Sequence, residues 1–327
     1  MTDSPVSVAV IGGSGLYRLF DPASSETRRI ATPYGPADVT VGELGGRTVA
    51  FLTRHGTDHS VAPHLINYRA NIWALASLGV TAILSSAAVG GVSPDYPPGT
   101  LVLTDQFIDR TYGRADTFYD RGSVQHLAAA DPFCPNLHGI AAGALVDAGE
   151  TVATSGTVVV IQGPRFSTRA ESLWFRAAGA HTVNMTLYPE VPLASELNIG
   201  TVNLSFVTDG DAGLAPPARA AGQAGATGSE TGGPETGGPE TAGPETAGSG
   251  AAGADPGSEP GSEPGFVPVP VPDELSAELV FARLAEAQPR IIAAIETIIR
   301  ALPHDYAPRE LVSAAAVEAV LARETVQ

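Results

Sequence analysis

Arg54 and His55 follow directly on the apolar run Val49-Ala50-Phe51-Leu52-Thr53, and His59, His64 and Arg69 come soon after. Arginine offers a planar fork to phosphate oxygens, and histidine adds a directed donor. A surface ion pair beside a core histidine would use the same residues. A second candidate is Gly12-Gly13-Ser14-Gly15, which closes the run Val8-Ala9-Val10-Ile11. Such a turn exposes backbone N–H groups beside the Ser14 hydroxyl, an arrangement suited to an oxyanion. A purely structural glycine turn fits equally well. It is not a dinucleotide fingerprint, because Arg18 stands where the last glycine is needed, and Leu16 excludes a nucleophile elbow. The third candidate is the pair Asp209 and Asp211 at the end of Val207-Thr208-Asp209-Gly210-Asp211. Spaced two apart at a strand end, the carboxyls can point the same way. They could bind metal, transfer protons, or hold a heterocycle by hydrogen bonds. With no third or fourth ligand nearby, metal is the weakest of these.

These residues need a frame. Short Val/Ile/Leu/Thr-rich runs read as strands: VSVAVIGG, RTVAFLT, TAILSSAAV, TLVLTDQF, GTVVVIQG, HTVNMT and GTVNLSFVTD. Helices are predicted between them at Ile66 to Leu78, Leu137 to Ala148, Arg169 to Ala178 and Glu190 to Leu197. The alternation predicts an α/β fold, a single domain with a central mixed, largely parallel sheet flanked by helices. Ligands of such sheets gather at the carboxyl ends of strands, where the candidates lie. From 212 to 268 the composition collapses to Gly, Ala, Pro, Glu, Ser and Thr, with the repeat GGPETGGPETAGPETAG inside it. Few apolar side chains and excess acid predict a disordered insertion. Beyond it, Ile291, Ile292, Ile295, Ile298, Ile299 and Leu302 form one apolar helical face, with Pro289 expected to break or kink the helix. Residues 1–211 and 269–303 thus read as one domain, and 304–327 as a C-terminal helix or tail.

Composition excludes several chemistries. All 18 cationic residues are arginine, so a lysine Schiff base and a Walker-type phosphate loop are both ruled out. A net charge of −17 argues against nucleic acid and anionic membranes as partners. The lone Cys134 reads as a packed thiol, and no Cys/His spacing suggests a structural metal. Without a basic, apolar leader or a stretch long enough to span a bilayer, the expectation is a cytoplasmic protein.

Taken together, GGSGLY, RHGTDHSVAPHLINYRANIWAL, GTLVLTDQFIDRT, HLAAADPFCP, QGPRFSTRAES, NMTLYPEVPLASEL and VTDGDAG occur in the order found in the methylthioadenosine phosphorylase group of trimeric purine nucleoside phosphorylases. The resemblance covers roughly Val6 to Gly213. It implies a fold of the nucleoside phosphorylase type, a homotrimer, and phosphorolysis of the N-glycosidic bond of purine nucleosides. No cofactor and no metal are implied; inorganic phosphate is a co-substrate. On this chain the resemblance assigns phosphate to Ser14, Arg54, His55, the backbone around Ala87 and Ala88, and Thr186. It places Met185 beneath the ribose, Phe166 beside the base, and Asp209 and Asp211 at the N7 and 6-position edge of the purine. Asp209 would donate a proton toward N7, with His55 also assigned to catalysis. His126 would reach the 5′ pocket of a neighbouring subunit. Arg69, His59 and His64 read as supporting or packing residues.

Asp209 and Ser167 resemble the methylthioadenosine type, which favours S-methyl-5′-thioadenosine. The segment after Asp211, which in the family lines the 5′-methylthio pocket with apolar residues, is replaced here by the low-complexity tract. Inosine, guanosine or adenosine are therefore alternative substrates. An alternative of another class is a non-catalytic nucleoside-binding protein.

Overall fold

The computed structural model describes residues 6–213 and 276–326. The predicted disorder of 212–268 lies, from 214 onward, outside the described residues. In chain order the strands are β1 (Val8–Gly12), β2 (Glu26–Ile30), β3 (Ala37–Leu44), β4 (Arg47–Thr53), β5 (Ala82–Gly91), β6 (Leu101–Thr104), β7 (Gln106–Arg110), β8 (Val152–Ala153), β9 (Thr157–Ile161), β10 (Thr182–Asn184) and β11 (Gly200–Gly210). The helices are α1 (Tyr68–Ser77), α2 (Pro135–Asp147), α3 (Arg169–Ala177), α4 (Leu187–Glu196), α5 (Ala277–Ala301) and α6 (Ala314–Leu321).

All eleven strands join one mixed sheet, with β2-β3-β4-β1-β5-β10-β9-β7 as its main path and β11, β6 and β8 branching from β5. Strands β4, β1, β5 and β11 run parallel, so their carboxyl ends open on the same side. Side-chain alternation builds both faces. Val8 and Val10 point into a core shared with α2 and α5, whereas Ala9 and Ile11 point into one shared with α1, α4 and α6. Burial on both faces explains why β1 reads as an unbroken apolar run.

Two sequence expectations change. TLVLTDQF is two strands: β6 pairs antiparallel with β11, and β7 pairs parallel with β9. Pro289 does not end α5, whose 25 residues run through it. Its ring lies on the exposed side, while Leu284, Ala287 and Ile291 pack into the core. That apolar contact outweighs the roughly 3 kcal/mol cost of an interior proline. The region after 303, expected as a helix or tail, carries α6: Val312 and Val320 are buried, and Trp73 Nε1 donates to the Val320 carbonyl at 3.1 Å. Among the described residues no helix is long and apolar enough to cross a membrane.

Candidate active site

The strand ends enclose one cavity of about 240 Å³. It is lined by Ser14 after β1, Arg54 and His55 after β4, Ala87 and Ala88 in β5, Phe166 and Ser167 before α3, Met185 and Thr186 after β10, and Asp209 and Asp211 at the end of β11. His126 stands apart, exposed on the loop between β7 and α2 and outside this cavity.

At one end lies the cationic corner. Arg54 is only 2% exposed. Its Nε and Nη2 donate to Glu190 Oε2 and Oε1 at 2.6 and 2.8 Å, and Nη1 donates to the Ser86 carbonyl at 2.9 Å. The guanidinium is thereby immobilised, with its remaining N–H groups left for an anion. Glu190 stands within NMTLYPEVPLASEL, where nothing local signals this role. His55 Nδ1 lies 2.9 Å from the Val61 carbonyl, so Nδ1 carries the hydrogen and Nε2 is left with its lone pair. Burial, opposed in part by that bond, pushes the imidazole down to about 4, and it is neutral at pH 7. His55 therefore presents Nε2 to the cavity as an acceptor; a dianion beside it would favour uptake of a proton from solvent and turn that nitrogen into a donor. Ser14 and the Gly13 backbone complete the corner; Gly13 N donates to Ser86 Oγ at 3.2 Å.

At the other end lies the acidic corner. Burial, reinforced by Asp211, pushes Asp209 up to about 6, against a 2.6 Å hydrogen bond donated by Thr208 Oγ1 and the charge of Arg283. Asp211 is also raised, chiefly by burial, although Ser172 Oγ of α3 donates to its Oδ2. Two carboxyls whose proton affinity is raised in one cleft are suited to holding or passing a proton. Among the described residues no group of His, Cys, Asp or Glu is arranged to hold a metal ion. Gly90 keeps this corner open: a Cβ there would sit 2.9 Å from Asp211 Cβ and 3.2 Å from Asp209 Oδ1.

Loops between the corners are held firmly. Thr168 caps α3 by accepting from Glu171 N, and Glu171 accepts from Thr168 N at 2.7 Å, which fixes the loop bearing Phe166 and Ser167. Gly163 takes φ +63°, and a Cβ there would come within 2.6 Å of Met185 Sδ, so only glycine lets this loop close on the methionine. Arg114, which sequence reasoning missed, donates to the carbonyls of Gln162 and Met185 at 3.0 Å each and to that of Tyr188.

Two further walls were also not foreseen. His59 lines the cavity, its ring tilted against that of His55 with centroids 4.5 Å apart, and Tyr17 Oη lies 3.2 Å from its Nδ1. Its spacing of four from His55 was the available signal. Helix α5, which follows the low-complexity tract, brings in Ala277, Val280 and Phe281, with Phe281 edge-on to His59 at 5.1 Å. The apolar wall expected to be lost to the tract is supplied from beyond it. Arg69 behaves as expected, paired with Asp120 at 2.7 Å and lying 4.6 Å over Tyr34, and His64 is exposed.

Residues 7–229 match the model of the phosphorylase superfamily, which spans more than half of the chain. The chain belongs to the phosphorylase superfamily. Among curated relatives of this phosphorylase, the S-methyl-5′-thioadenosine phosphorylase of Mycolicibacterium smegmatis is 51% identical over 211 residues, covering 63% of this chain and 78% of the relative. The purine nucleoside phosphorylase of Streptomyces coelicolor is 47% identical over 216 residues, covering 63% of this chain and 76% of the relative. Among solved structures, methylthioadenosine phosphorylase from Schistosoma mansoni in complex with tubercidin matches with a TM-score of 0.60 at 38% identity, covering 63% of this chain and 82% of that one.

Proposed function

We propose that this phosphorylase splits the N-glycosidic bond of purine nucleosides with inorganic phosphate, giving free purine and a sugar 1-phosphate, with S-methyl-5′-thioadenosine as the favoured substrate. The observation that carries the reading is the polarity of this cavity. An immobilised cation, a neutral imidazole and a hydroxyl turn occupy one end, two buried carboxyls the other, and Met185 lies among the lining residues. Phosphate enters beside Arg54, His55, Ser14 and Thr186, with the backbone at Ala87 and Ala88 closing the corner. The charges orient and hold the nucleophile rather than react with it. As the bond to the base lengthens, positive charge grows on the sugar, and the bound dianion stabilises it. Negative charge grows on the purine. Asp209 in its protonated form donates toward N7, and Asp211 accepts from the 6-amino edge. Phe166 lies against the base and Met185 against the ribose, where a thioether adapts to the sugar face.

The apolar side chains of Ala277, Val280 and Phe281 favour a methylthio group over a hydroxyl at the 5′ end. Inosine, guanosine and adenosine are the alternative substrates. We assign the exposed His126 to a neighbouring copy's 5′ end in a homotrimer, in keeping with its distance from its own cavity. The test is an assay of methylthioadenosine, adenosine, inosine and guanosine with and without orthophosphate. Cleavage that does not depend on phosphate, or no cleavage at all, would overturn the reading. Sedimentation measurement of a monomer or dimer would overturn the trimer.

A further inference from the structure

Arg283 stands on α5 just beyond Val280 and Phe281 and is half-buried. Its Nη1 donates to the carbonyl of Thr208. The hydroxyl of the same threonine donates to Asp209 Oδ2 at 2.6 Å. A single residue thus links the guanidinium to the carboxyl. Among the described residues no carboxylate forms an ion pair with Arg283.

We propose that Arg283 is a positioning residue of the phosphorolysis reaction: it ties α5 to the strand end that carries Asp209 and sets a fixed positive charge behind that carboxyl. The inference rests on the reading of Asp209 as the proton donor. The charged and titratable groups facing Asp209 come from four directions. Asp211 shares its strand end, with Glu171 of α3 behind it; Arg54, His55 and His59 lie across the cavity; Arg283 comes from α5. Burial holds both imidazoles toward the neutral form, and Glu190 neutralises Arg54. Arg283 is then the cation that opposes the effects of burial and of Asp211 on Asp209. Its charge limits how far toward alkaline pH the carboxyl keeps its proton, and its hydrogen bond holds the apolar 5′ wall over the same carboxyl. One side chain therefore couples the part of the site that selects the sugar to the part that protonates the base.

The experiment compares wild type, Arg283→Gln and Arg283→Lys in pH profiles of kcat/KM for methylthioadenosine phosphorolysis at saturating phosphate. Glutamine can still donate to the Thr208 carbonyl but carries no charge; lysine keeps the charge. The ionisation of phosphate is common to all three and cancels in the comparison. We expect the alkaline limb of Arg283→Gln to move up by roughly 0.3–1 pH, and that of Arg283→Lys to stay with wild type. Arg283→Met provides a second charge-free variant, with thermal melts checking that each protein is folded. Coincident limbs for wild type and the charge-free variants would overturn the proposal, as would an equal shift in Arg283→Lys. A wild type that cleaves nothing with phosphate would instead overturn the functional reading itself, and the two failures are distinct.

Discussion

Arg54 and Glu190 form a buried two-pronged ion pair, with both prongs under 3 Å and both side chains nearly sealed from solvent. The pair joins the end of β4 to the first turn of α4, across 136 residues of sequence. Its geometry decides which edge of the guanidinium faces the cavity.

Glu190→Gln should therefore cost both stability and phosphate affinity. Breaking one partner of a buried pair typically costs about 3–5 kcal/mol. Urea unfolding should show a loss of that order, and KM for phosphate should rise far more than KM for the nucleoside. An unchanged phosphate KM in a folded variant would mean that Arg54 does not need Glu190 for its aim.

Asp209→Asn should separate activity from stability. Loss of the proton donor should lower kcat by about 10²–10⁴-fold. In the folded protein Asp209 titrates near 6, above its ordinary 3.8. The stabilising contribution of its neutral form is complete below about 3.8 and is lost as pH rises through about 6. At pH 7.5 the wild type thus carries a burial cost of up to about 3 kcal/mol that asparagine does not. The variant should be the more stable protein at pH 7.5, with the difference gone near pH 4. Equal stability at both pH values would show that the carboxyl is not desolvated.

Phe281→Ala should alter substrate choice more than rate. Removing this side chain from its contact with His59 opens the apolar wall. We expect kcat/KM for methylthioadenosine to fall about 10-fold, with a smaller change for adenosine. Parallel losses for both substrates would place the 5′ group elsewhere.

Legibility in the sequence followed the strand ends. The runs that became β1, β4, β5, β10 and β11 are buried and apolar, and each is followed closely by residues of the cavity. Strand β2 was not legible, because four of its five residues are exposed and it carries Glu26, Arg28 and Arg29. Its pairing with β3, rather than any apolar pattern, makes it a strand. The division of TLVLTDQF depends on two different neighbours, β11 and β9, which no local window contains. The same reason hid Glu190 and Arg114. Their roles come from partners distant in sequence, whereas Ser14, Arg54 and Asp209 sit at strand ends whose local chemistry already stands out. The α5 wall escaped notice because the low-complexity tract separates it from β11, and only packing brings Val280 and Phe281 back to the cavity.

Arg114 binds backbone carbonyls of two stretches that border the cavity, at Gln162 in one and at Met185 and Tyr188 in the other. Because one side chain anchors these stretches, neither can come loose alone without stranding its carbonyls. Amide hydrogen exchange in 161–168 and 185–190 should then occur in a single opening event with a common free energy, and the two loops would behave as one cooperative unit of the native state.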